Sequence, residues 1–125
     1  MIAFYLGWII AVVLVAVGLL ALLAPHSLAR HYGVAVEGDR EAAYVRATGI
    51  RDVAIGIVLA ATAYYRILPL LIILAVVGIA VSIADLYVVS RHGGHRRPHS
   101  AHALHASGIV AFILVIAMAL FAIGR

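Results

Sequence analysis

The chain has 125 residues, 66% of them hydrophobic and only 11% charged, with a mean hydropathy of +1.18. A water-soluble domain is about half apolar and roughly a quarter charged, so this composition excludes a soluble globular fold and points to one small integral membrane bundle. There are no cysteines, which removes disulfides, thiolate nucleophiles and cysteine-ligated metals; the net charge of +4 rests on arginines alone, and reads as basic loops beside membrane spans, not as a nucleic-acid surface.

A helix crossing the hydrocarbon layer needs about 20 mostly apolar residues. Four stretches qualify, at about 2–24, 41–65, 68–90 and 100–123. The first lacks a basic leader and exceeds the roughly 7–15-residue core of a signal peptide, so it is expected to be a retained span, ended by Pro25. The second is expected to start near Asp39–Glu41, with Asp39 as its cap and both acids favouring the positive end of the helix dipole. Pro69 suits the first turn of the third span. Only a few residues around Arg66 separate spans two and three, so those two are expected to form a tight antiparallel pair. The predicted fold is an all-α, up-and-down bundle of four transmembrane helices.

Arginine placement sets the expected orientation. Arg30 and Arg40 belong to the first connection, with Arg46 just inside the following helix, and Arg91, Arg96 and Arg97 to the third; the opposite side has only Arg66 and Arg125. The positive-inside rule then places the first and third loops in the cytoplasm and both termini outside, in a membrane expected to be a bacterial plasma membrane.

Against this apolar background the ionisable residues inside the spans stand out. Counted from Tyr65 at 1.5 Å per residue, Asp52 lies roughly 20 Å into the layer, with Arg51 beside it; counted from Pro69, Asp85 lies roughly 24 Å in. His105 comes out near the cytoplasmic boundary. Such groups cost several kcal/mol each when they face lipid, so they are expected to face the bundle interior. Small residues mark the same faces: Gly49 and Gly56 with Asp52; Ala75, Gly78 and Ser82 with Asp85; Ala101 and Gly108 with His105. The first span offers Gly7, Ala11, Gly18 and Ala21. Arg51 and Asp52, adjacent in sequence, point about 100° apart on a helix and are expected to serve different partners. Arg51 is matched by depth with Asp85, which leaves Asp52 for His105, His102 or a ligand.

Residues 92–105 read HGGHRRPHSAHALH. His99, His102 and His105 would line one stripe of a helix starting near Pro98, a spacing that can share a metal. The plainer reading, and the one preferred, is a solvated loop attracted to anionic headgroups. No HExxH, phosphate loop or nucleophile elbow is present, and no cofactor is expected.

The stretches LAPHSLARHYGV and YVRATGIRDVAIGIVLAA, followed by an aspartate late in the third span (Asp85, in IADLYVV), resemble an uncharacterised family of small four-helix membrane proteins marked by a GIRD motif at the start of the second helix. The resemblance runs through about the first 90 residues and implies the fold and the membrane location. It carries no activity with it.

The function expected from the residues is a polar site in the cytoplasmic half of the bundle that binds a lipophilic small molecule. Asp52, Asp85 and His105 are the candidate groups for acid–base chemistry such as isomerisation. Tyr44, Arg46, Arg51, Ser82 and His102 are the candidate ligand contacts. The alternatives are a small proton- or metal-coupled transporter and an accessory subunit of a larger membrane complex. Expected partners are the bilayer, the lipophilic ligand, and a second copy or another membrane protein, with no nucleic acid.

Overall fold

The computed structural model describes residues 1–31, 36, 38–92 and 98–124, with only the backbone at 30, 31, 92, 98–101 and 104. Five helices follow in order: α1 (Ile2–Leu23), α2 (Pro25–His31), α3 (Asp39–Tyr64), α4 (Leu68–His92) and α5 (Pro98–Ile123). Four of them carry stretches long and apolar enough to cross a membrane: Ile2–Leu23, Asp39–Tyr64, Leu68–Arg91 and His105–Ile123.

The helix ends bear out one expectation and correct another. The first helix ends just before Pro25, as expected: α1 stops at Leu23, Ala24 leaves helical backbone and caps it with its N–H on the Leu20 carbonyl, and Pro25 then opens α2. Proline lacks an N–H, which a first helical position does not need. The cap of α3 is Gly38, in extended backbone, and Asp39 is the first helical residue. The Glu41 carboxylate folds over Gly38, so that a Cβ there would lie 2.9 Å from Glu41 Oε2. The acids of the first turn act on the helix dipole from inside the helix.

Pairing is set by small residues. On α3, Ala42, Gly49, Gly56 and Ala63 recur every seventh residue and all are buried. On α1 the buried set is Ala3, Gly7, Ala11, Gly18 and Ala21. The two seams meet antiparallel: a Cβ on Gly7 would touch Ala63, one on Gly56 would approach the Ala11 carbonyl, and one on Gly49 would press on Gly18 and Ala21. On α4 and α5 a second antiparallel seam joins Gly78 to Phe112 and Ser82 to Gly108. In lipid, where apolar surface gains nothing by leaving water, close backbone approach and dense packing carry such associations.

The main pairs are therefore α1 with α3 and α4 with α5, while α3 and α4 touch only sparingly. The short turn does not make α3 and α4 a tight pair, because each has its small-residue seam turned toward a different helix. That turn holds Arg66 at φ 55, with Ile67 N–H on Thr62 O and Arg66 N–H on Ala63 O. These two bonds are the Schellman closure of a helix C-terminus.

Towards this turn, Ala3, Leu59, Leu71, Val115 and Ala119 fill the bundle axis, with Ala11, Ala75 and Phe112 below them. Thr62 is buried there too, and its hydroxyl donates to the Val58 carbonyl at 2.8 Å, so it presents no unsatisfied polar group. Exposed Tyr5, Trp8, Tyr64 and Tyr65 ring this end, as amphipathic rings do at a membrane interface.

Candidate functional site

Beyond Phe112 the two helix pairs separate and enclose a cavity of about 400 Å³. All five helices contribute to its wall. From α3 come Val45, Thr48, Arg51, Asp52 and Ile55, one face of a helix at i, i+3, i+7 and i+10 with Arg51 beside it. The inner face of α4 supplies Gly78, Ser82 and Asp85, and α5 supplies His105, Gly108 and Phe112. Leu28 and Ala29 of α2 complete the wall at the far end. Apart from the charged cluster and Phe112 the described lining is aliphatic or small, with the Thr48, Ser82 and Ser107 hydroxyls interspersed. Ile9, Val13 and Val88 line the cavity and are also exposed on the outside, so it communicates with the lateral surface of the bundle.

The charged cluster is built on one guanidinium. Arg51 Nη1 donates to Asp85 Oδ1 at 3.2 Å and Nη2 to Asp85 Oδ2 at 2.9 Å, a two-point pair across helices α3 and α4. Arg51 Nε and Nη2 also donate to Asp52 Oδ1 at 3.0 and 2.9 Å. The cross-helix pair is the one expected from depth. The bond to Asp52 overturns the expectation that adjacent residues serve separate partners. The Cα–Cβ directions do diverge, but the long arginine stem curls back, and a fork of five donors is wide enough to hold two carboxylates at once. Side-chain exposure is 36% for Arg51, 27% for Asp85 and 13% for Asp52, so Asp52 is the most enclosed of the three.

Gly49 and Gly56 do not share one contact with Asp52, contrary to the expectation from spacing. The glycines lie in the seam against α1, and Asp52 sits on its flank, turned into the cavity. Close approach at the glycines brings α3 near enough to α1 for both to bound one cavity. His105 and Ser82 join Arg51, Asp52 and Asp85 in the wall. Tyr44 and Arg46 are exposed, and His102, half-buried, is not part of the wall. The His99 side chain and residues 93–97 of the histidine-rich connection lie outside the described residues. Among the described residues, no three of the His, Asp and Glu side chains are grouped to hold a metal ion.

Sequence reasoning did not single out Thr48, Ser107, Leu28 or Ala29. Thr48 was within reach, since it precedes Asp52 by four residues and so shares its face. Its hydroxyl donates to the Tyr44 carbonyl at 3.1 Å. Leu28 and Ala29 were hidden because a seven-residue helix between spans leaves almost no periodic signal.

No curated protein and no solved structure matches the chain. A family model does, over residues 11–120, which takes in the GIRD segment, the α4–α5 seam, most of the α1–α3 seam and Arg51, Asp52 and Asp85 of the cavity. The chain belongs to the family described as Domain of unknown function (DUF4267).

Proposed function

We propose that this protein binds a lipophilic small molecule in the cavity between its helix pairs, with Asp52, Asp85 and His105 able to hold or move a proton on it and Arg51 as counter-ion to the carboxylates. The observation that carries the reading is the coincidence of a cavity of about 400 Å³, within the range of small-molecule sites, with a charged cluster in a largely apolar wall. Exposed lining residues offer lateral entry from the lipid phase. Acid–base isomerisation is the reaction class these groups suit. We place the cavity in the cytoplasmic half of a bacterial plasma membrane, supported by the arginines of the first and third connections.

A transporter would need a path through the other half of the bundle. There Leu59, Leu71, Val115 and Ala119 close the axis, and the Thr62 hydroxyl is already bonded within its own helix. One observation favours an accessory, structural role: Arg51 and its carboxylates satisfy much of each other's hydrogen bonding, as a register-fixing network would.

Native mass spectrometry of the protein released from mild detergent, followed by extraction of the bound fraction, separates the two. A retained organic species that disappears in Ala111→Phe, which fills the cavity, supports binding. An empty wild-type protein whose melting temperature no lipophilic probe raises saturably supports the structural role.

A further inference from the structure

Among the described residues, the carboxylates of the cavity wall outnumber its guanidinium. Two carboxylates, Asp52 and Asp85, share one guanidinium, and among the described residues no other arginine is in the wall. Arg51, Asp52 and Asp85 together carry one negative charge in excess, which a proton on His105 or a cationic ligand would cancel. The excess also has an address. Asp85 spends both oxygens on Arg51, but Asp52 accepts only through Oδ1. Among the described residues, no hydrogen bond reaches Asp52 Oδ2. Four hydrogen bonds leave the guanidinium one N–H, on Nη1, the nitrogen that faces Asp85. Arg51 is thus nearly exhausted as a donor, while Asp52, only 13% exposed, keeps acceptor capacity in a wall whose remainder is largely aliphatic.

A carboxylate in such surroundings is stabilised by a donor that carries positive charge, since charge-assisted bonds are about twice as strong as neutral ones. Building on the reading of the cavity as a binding site, we infer that its ligand is a lipophilic ammonium: an apolar tail lying along Ile55, Val81 and Phe112, with a protonated amine on Asp52 Oδ2. An acid headgroup would instead meet two carboxylates and a guanidinium that is already engaged. A neutral alcohol could reach Asp52 but would leave the charge uncompensated. The same ammonium chemistry is available from a free amine and from the headgroup of an ethanolamine lipid.

The test uses three probes with one tail and different heads: decylamine, decanol and decanoate. Saturable binding is read from thermal unfolding of the full chain in a neutral maltoside detergent. Decylamine should bind about 10-fold or more tighter than decanol, the scale of one charge-assisted hydrogen bond, and decanoate weakest. Asp52→Asn should reduce the amine to the level of the alcohol while decanol binding persists. A lyso-ethanolamine lipid, added in the same assay, identifies the source. If it matches decylamine the ammonium comes from the bilayer, and if only decylamine binds it is a free amine; both support the inference. Equal binding of all three probes, or an amine preference that survives Asp52→Asn, overturns the charge inference and leaves the binding site standing. Absence of saturable binding by every probe overturns both. Ala111→Phe and, should that variant misfold, Val81→Phe should abolish binding of all probes.

Discussion

Gly18 on α1 and Gly49 on α3 meet backbone to backbone. A Cβ built on either glycine would lie 2.6 Å from the carbonyl oxygen of the other. Backbone cannot swing aside as a side-chain tip can, so a methyl at either position must push the helices apart. Gly49→Ala is expected to destabilise the bundle by about 1–3 kcal/mol, the usual cost of overpacking. Gly124→Ala is the control, because its Cβ would meet only Leu120 O, at an ordinary 3.7 Å. Thermal unfolding in detergent should show a lowered midpoint for the first variant and no comparable loss for the second.

The guanidinium of Arg51 serves two carboxylates, so its removal should cost more than the removal of either. Arg51→Leu strands Asp52 and Asp85 together in a largely apolar wall, whereas Asp85→Asn leaves the Arg51–Asp52 bonds in place. Breaking a buried pair from one side costs several kcal/mol, reduced here because Arg51 is about one-third exposed. Arg51→Leu is expected to lose about 2 kcal/mol and Asp85→Asn less. In the double variant the losses should fall short of the sum, as a double-mutant cycle would measure.

Gly78 gives α5 its place on α4. A Cβ there would collide with the ring of Phe112 at three carbon atoms. Gly78→Ala should therefore destabilise the α4–α5 pair, and Phe112→Leu, by shortening the obstructing group, should restore part of the loss. Non-additivity of at least about 0.5 kcal/mol in unfolding experiments is the expected sign of their contact. Strict additivity would mean that the two residues do not touch.

Arg66 occupies the left-handed region at φ 55, in the position of a Schellman closure where glycine is the usual residue. A side chain there costs about 1 kcal/mol relative to glycine. Arg66→Gly should raise the unfolding midpoint. A second variant, Arg66→Asn, tolerates the same backbone region and should fall between the two.

Much of this architecture is legible in the linear chain because it depends on each helix alone. Apolar runs of membrane length, the small residues that repeat along Gly49 and Gly56 or along Ala75 and Gly78, and the need to hide Arg51, Asp52 and Asp85 from lipid all follow from composition and period. Even the Arg51–Asp85 pair follows from depth, since depth is residue count times helical rise.

Tertiary structure alone decided which seam meets which. Periodicity marks a face without naming its partner, and the short turn at Arg66 suggested α3 with α4. The choice of α1 for α3 comes from matching two surfaces at once, Gly18 against Gly49 and Ala11 against Gly56. That choice separates the helix pairs beyond Phe112 and so creates the cavity. The doubling of Arg51 onto Asp52 is likewise a property of side-chain reach in three dimensions, which the 100° between adjacent Cβ directions cannot convey. The charges of GIRD are thus determined in kind by the sequence and in arrangement by the space the seams leave around them.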